Sequence, residues 1–189
     1  MSIFGALLSV ATLLLLLQVS LLLLQVILAL LPGKPPLLSL CNKRPAVTVL
    51  IPAHNEHLVL AKTLHSIFPQ LAENDRLLVV ADNCSDDTAK IAEAAGAEVI
   101  ERFDPERRGK GYALDFGVRH LRSNPPDVVI VIDADCQVGE GAIDRLARIC
   151  AEADRPVQAL YLMHAPYGAG LGVRVAEFAW RVKNQVRPH

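Results

Sequence analysis

Two carboxylates, Asp133 and Asp135, close the apolar run PPDVVIVIDADCQV with one small residue between them. Paired acids with no base beside them suit a hard divalent cation better than proton transfer. Three other clusters carry groups of complementary chemistry. PAHNE supplies His54, Asn55 and Glu56, and ADNCSDD supplies Asp82, Asn83, Asp86 and Asp87. The basic, glycine-bearing stretch FDPERRGKGYAL supplies Arg107, Arg108 and Lys110. Carboxylates that hold a metal, with cations and backbone amides for phosphate oxygens, make a site for a phosphate ligand bound with a divalent ion. Each cluster alone has a plainer reading. Asp86 and Asp87 read as caps of the next helix, and His54 as either a turn residue or a ligand. GKG is not a P-loop, because GxxxxGK[ST] is absent. His57, His65, His120, His164 and His189 show no metal-ligand spacing.

The elements that must position these residues alternate. AVTVLIPAHNE, RLLVVADN, AEVIER, DVVIVIDAD and VQALYLMHA read as strands. HLVLAKTLHSIFPQL carries a helical stripe at Leu60, Leu64, Ile67 and Leu71. SDDTAKIAEAAG reads as a helix with Ser85 as N-cap and Gly96 as its stop. GYALDFGVRHLR places Leu114, Val118 and Leu121 on one face, and GAIDRLARICAEA places Ile143, Leu146, Ala147 and Cys150 on one face. This alternation predicts βαβ units and a largely parallel sheet. Ligands of such sheets bind beyond the carboxyl ends of the strands, where all four clusters fall.

From Ile3 to Leu31 the chain has no charged residue. A bilayer core is crossed by about 20 apolar residues, so this segment reads as one transmembrane helix. A cleaved signal peptide is the rival, but no Lys or Arg precedes the run and the run is long for one. Lys34, Lys43 and Arg44 follow it, so the positive-inside bias places the globular part in the cytoplasm. The expectation is a single-pass protein of the inner (cell) membrane. Formal net charge is −1 in 189 residues, which argues against a nucleic-acid partner. The cysteines at 41, 84, 136 and 150 form no CxxC pair, and neither a zinc site nor a disulfide framework is expected.

VTVLIPAHNE, LLVVADNCSDDTAKIAEAAGAEVI, RRGKGYALDFGV and DVVIVIDADCQV, in this order from Val47 to Val138, resemble the family 2 glycosyltransferases. Those are inverting enzymes of the GT-A fold. The likeness is greatest to membrane-anchored bacterial members that build or decorate polysaccharides. It implies a GT-A-like, Rossmann-type parallel sheet flanked by helices, preceded by the transmembrane helix. The expected division is a membrane helix over 1–32, a linker over 33–46, a nucleotide-sugar-binding domain over 47–166 and a partial acceptor-side or amphipathic segment over 167–189. The resemblance assigns Pro52, Ala53, Glu56, Asp82, Lys110 and Asp133 to the donor, with Glu56 near the ribose and Asp82 on the uracil ring. Asp135 would ligate the metal, Mg²⁺ or Mn²⁺, that bridges the diphosphate of a UDP-sugar. The acceptor would be a polysaccharide, a lipid-linked sugar or another glycan.

The chain also departs from that pattern. The family's catalytic base lies in an ED-type motif well after the paired acids, often followed by QxxRW, and neither stretch occurs here. No base is assigned, and Glu177 is the first acid to test. The expectation is a donor-binding half that binds its nucleotide sugar but transfers slowly, with a non-catalytic nucleotide-sugar-binding subunit as the alternative. A phosphohydrolase using the DxD pair is disfavoured, because Gln137 stands where such enzymes carry Thr or Val. VRVAEFAWRVKNQV reads as a helix, able to lie on a membrane interface or to pack on an acceptor-side half.

Overall fold

A computed structural model describes residues 3–30 and 44–186. Lys34, Lys43, Cys41 and most of the expected linker lie outside the described residues. The chain divides into two compact units, Met1–Leu37 with Leu160–His189, and Leu38–Ala159.

The second unit holds the sheet. Its strands are β1 (Val47–Ala53), β2 (Arg76–Asp82), β3 (Glu98–Arg102) and β4 (Val128–Val131), in the order β3-β2-β1-β4 and all parallel. The helices are α2 (Leu60–Ile67), α3 (Thr88–Ala94), α4 (Lys110–Leu121) and α5 (Ala142–Ala153). Alternation along β1 sends Val47, Val49 and Ile51 to one face, where they meet Leu60, Leu64 and Ile67 of α2, Ala92 of α3, and Ile143 and Ala147 of α5. Leu50, with Leu78 and Val80 of β2, faces the other way against Ala113 and Leu121 of α4. Both faces of the central strands are therefore covered, which is why β1 and β2 read as nearly unbroken apolar runs.

The buried stripe of α4 is Ala113, Gly117 and Leu121, one turn apart, with Leu114 packed beside it. Val118, expected on that face, is 45% exposed. Gly117 is the reason. A Cβ there would stand 2.6 Å from Leu50 Cδ1 and 3.0 Å from Val80 Cγ2. The helix rests its backbone on the sheet at this point, and larger residues are turned aside.

β4 is shorter than its apolar run suggests. In a parallel ladder the bonds alternate along the strand. Ile132 N–H donates to the Leu50 carbonyl, and the next donor on β1 would be residue 52. That residue is Pro52, which has no N–H, so the ladder stops there. The chain leaves the sheet just before Asp133. β4 is also an edge strand, with Val129 and Val131 exposed at 40% and 47%.

The segment VQALYLMHA, expected as a fifth strand, is not one. No described strand pairs with it, and Leu160, Tyr161 and Met163 remain exposed. Without a neighbour the ladder bonds of a strand cannot form.

The first unit contains α1 (Ile3–Leu30), a helix of 28 residues, and α6 (Leu171–Val186), which touches it. At 1.5 Å per residue α1 is about 42 Å long, enough to cross a bilayer. In α6, Lys183 Nζ stands 4.8 Å from the Trp180 ring centroid, and Tyr161 packs edge-on against Trp180. Glu177 of α6 pairs with Arg181 at 3.5 Å and with His164 at 3.8 Å.

Candidate functional site

The carboxyl ends of β1, β2 and β4 and the start of α4 enclose a cleft of about 500 Å³. All seven residues that the resemblance assigned line it: Pro52, Ala53, Glu56, Asp82, Lys110, Asp133 and Asp135. His54, Asn83, Arg108, Gly109, Ala113 and Ala134 complete its wall.

The two acids do not sit on a strand, so strand alternation is not what brings them together. Residues 133–136 form a turn closed by Cys136 N–H donating to the Asp133 carbonyl at 3.1 Å. Ala134 is buried at its centre, and its carbonyl accepts from Thr63 Oγ1 of α2 at 2.7 Å. The turn leaves Asp133, Asp135 and Cys136 with ligand atoms within 4.8 Å of one another. Two exposed carboxylates beside a thiol fit a divalent cation, the carboxylates suiting Mg²⁺ or Mn²⁺ and the sulfur leaning toward the softer of them.

Lys110 pairs through Nζ with Asp133 Oδ1 across the cleft. It is the first residue of α4, and Gly109 before it has φ +116°, a conformation that favours glycine. The start of α4 thus lies at the same cleft as Lys110 and Arg108, a setting that suits an anion.

The floor of the cleft is tightly laced. His54 Nδ1–H donates to the Asp82 carbonyl at 2.7 Å, which ties the turn after β1 to the end of β2. Asn55 (φ +55°) accepts through Oδ1 from Ser85 N–H at 2.8 Å. Glu56 N–H donates to Thr88 Oγ1 at 2.8 Å, and that hydroxyl donates to Asp86 at 2.5 Å. Asp86 also accepts from Thr88 N–H, His57 N–H and His57 Nδ1–H. Burial opposes its ionisation, but the bonds from Thr88 and His57 outweigh that and hold its carboxyl well below the usual carboxylate range. Asp86, and not Ser85, therefore serves the start of α3, while Asp87 pairs with Lys90.

Asp82 is buried and paired with Arg102 at 2.6 Å. Sequence reasoning missed Arg102, Thr63 and Thr88. No spacing marks a single arginine at the end of a short strand, and neither threonine differs in pattern from an ordinary helix residue. Cys84, Cys136 and Cys150 form no disulfide.

Among known proteins, the Glycosyl transferase family 2 pattern matches residues 48–162. An uncharacterized glycosyltransferase of Mycobacterium bovis is 34% identical over 151 residues, covering 76% of this chain and 63% of that one. The 4,4'-diaponeurosporenoate glycosyltransferase of Staphylococcus aureus is 36% identical over 93 residues, 48% of this chain and 24% of its own. The chain thus spans less than two thirds of the length of these relatives. Among solved structures, a mannosyltransferase from Pyrobaculum calidifontis in complex with GDP-Man and Mn²⁺ superposes with a TM-score of 0.50 at 25% identity, over 58% of this chain and 33% of that one. The parallel sheet with its flanking helices, the cleft at its carboxyl edge and the match over most of the second unit lead to one conclusion: the chain belongs to glycosyl transferase family 2.

Proposed function

We propose that the cleft binds a UDP-sugar together with Mg²⁺ or Mn²⁺, and that the protein passes the sugar to a glycan or lipid-linked acceptor at a membrane. The observation that carries this reading is the convergence of Asp133 and Asp135, Lys110 with the α4 N-terminus, and buried Asp82 on one cleft. A GDP-mannose and Mn²⁺ complex of a structural relative supports the donor class and the metal.

Asp135 and Asp133 would hold the cation. When bound, a divalent ion neutralises charge on a diphosphate leaving group. Lys110, Arg108 and the first amides of α4 hold phosphate oxygens and stabilise the charge that builds as the glycosidic bond breaks. Asp82 accepts a hydrogen bond from a ring N–H of the base, and Glu56 accepts from the ribose. Pro52 and Ala53 form an apolar wall for the nucleoside. Buried Ala134 keeps the turn narrow, so both neighbouring carboxylates remain at the cleft surface.

Calorimetric titration of the full chain in detergent with UDP and Mn²⁺ tests the reading. Binding is expected to weaken at least tenfold in EDTA and in Asp135→Ala. Equal affinity with and without metal would refute the metal-bridged site. Sugar transfer, followed by UDP release and by labelled product, tests the activity itself.

The 28-residue apolar α1 and the cationic flank after it support a further reading, that α1 anchors the protein in the inner membrane with the cleft on the cytoplasmic side. A C-terminal reporter fusion active only outside the cytoplasm would overturn that orientation.

A further inference from the structure

Arg102 closes β3 beside the cleft, and its side chain is only 10% exposed. It makes three contacts at once. Nη1 donates to Asp82 Oδ1 at 2.6 Å, Nη2 donates to Asp104 Oδ2 at 3.0 Å, and the guanidinium lies 5.6 Å from the Tyr112 ring centroid of α4. Asp82 accepts a second bond from Asn83 Nδ2 at 3.1 Å, again on Oδ1. Both side-chain bonds thus converge on one carboxylate oxygen, and Oδ2 is the atom left to meet a ligand.

Asp104 extends the linkage. Its Oδ1 accepts from Glu106 N–H at 3.2 Å and Arg107 N–H at 3.0 Å, and its own N–H donates to Asn83 Oδ1 at 2.8 Å. One guanidinium therefore ties the carboxylate proposed to read the base to the loop that leads into Arg108, Gly109 and Lys110.

We propose that Arg102 is a positioning residue for base selection: it clamps Asp82 through one oxygen so that the other presents a fixed acceptor to a ring N–H. This rests on the donor-site reading above. Uracil offers an N–H at ring position 3. Cytosine offers a lone pair there, which a carboxylate repels. The selectivity depends on the carboxylate being held in place, because a mobile Asp82 would swing to the cytosine amino group instead. Planar, forked Arg can grip Asp82 and Asp104 together while stacking on Tyr112, and Lys cannot.

The test measures affinity of the full chain in detergent, with Mn²⁺, for UDP, CDP and inorganic pyrophosphate. Wild type is expected to prefer UDP over CDP. Arg102→Lys, which keeps the charge, is expected to reduce that preference about tenfold, equivalent to about 1.4 kcal/mol. Pyrophosphate affinity should stay within about twofold, since Asp104 still holds the loop before Lys110 through its bonds with Asn83, Glu106 N–H and Arg107 N–H, none of which involves Arg102. Asp82→Asn should lose the preference to the same degree. An unchanged UDP:CDP ratio in Arg102→Lys, with Asp82→Asn losing it, would overturn the role of Arg102 and leave the donor site standing. Equal losses for all three ligands would also overturn it, by marking Arg102 as structural. Failure of wild type to bind any of the nucleotides would remove the donor-site reading and this proposal with it.

Discussion

Replacing Gly117 with alanine tests whether close approach of α4 to the sheet sets the cleft. The added Cβ would stand 2.6 Å from Leu50 Cδ1, 3.0 Å from Val80 Cγ2 and 3.3 Å from Leu50 Cδ2. All three neighbours are side-chain ends, but Leu50 and Val80 are fully buried, so their methyl groups can move only by displacing further core atoms. Overpacking of this kind costs about 1–3 kcal/mol. Alanine is favoured over glycine inside a helix by about 1 kcal/mol, which offsets part of that. The expected net is a loss of about 1 kcal/mol, or a few degrees in Tm. Urea unfolding followed by far-UV circular dichroism suits the measurement, because the chain's single tryptophan, Trp180, lies in the other compact unit. The same helix begins at Lys110, so a lifted α4 also draws that cation away from Asp133. Affinity for UDP with Mn²⁺ should fall alongside stability. A Gly117→Ala protein as stable as wild type, or more stable, would refute the packing account, because helix propensity alone predicts a gain.

Acid should destabilise the second unit in a defined window. Burial works against ionisation of Asp75, Asp86 and Glu98, but their hydrogen bonds and ion pairs prevail, and all three carboxyls titrate lower than usual. Asp144 is lowered chiefly by its bond from Arg148. A depressed carboxylate binds fewer protons folded than unfolded, so its stabilisation is complete above the unfolded value, about 4, and disappears as pH falls through the folded value. Urea midpoints should be flat from pH 7 to about 5 and drop below about 4; Asp86→Asn should lower the neutral midpoint and flatten the acid limb. An acid limb unchanged by that substitution would refute the assignment. Lys110→Met should tighten Mn²⁺ alone, since the lysine competes for Asp133, while weakening UDP with Mn²⁺. Manganese titration by electron paramagnetic resonance reads the first, and weaker binding of the bare ion would show that Lys110 supports the metal.

The strand and helix order was legible because β1 and β2 are covered on both faces and declare themselves as apolar runs. That the paired acids, Asp82 and Lys110 share one cleft was legible because the acids follow the ends of apolar runs and the lysine stands in the glycine-bearing stretch that opens a helix. What escaped the sequence depends on pairs distant along the chain. The limit of β4 is set by Pro52 on another strand, and the buried stripe of α4 by contact with Leu50 and Val80. VQALYLMHA has strand composition, but composition does not provide a partner. Arg102 matters through Asp82, twenty positions earlier, and no local pattern reports that distance.

Asn55 and Asn83 turn the chain at the ends of β1 and β2 with φ of +55° and +52°. Glycine would adopt those angles with less strain, by up to about 1 kcal/mol. Their side-chain oxygens, however, hold Ser85 N–H and Asp104 N–H in adjoining loops. Local backbone comfort and the shape of the cleft therefore pull in opposite directions at these positions. Glycine at 55 or 83 would relax the backbone but forfeit these bonds and loosen the unfolded chain, so selection for heat resistance would find no gain there and the adjoining loops would lose their tether. A screen that alternates heating with nucleotide capture would retain both asparagines and find its stabilising changes elsewhere in the molecule.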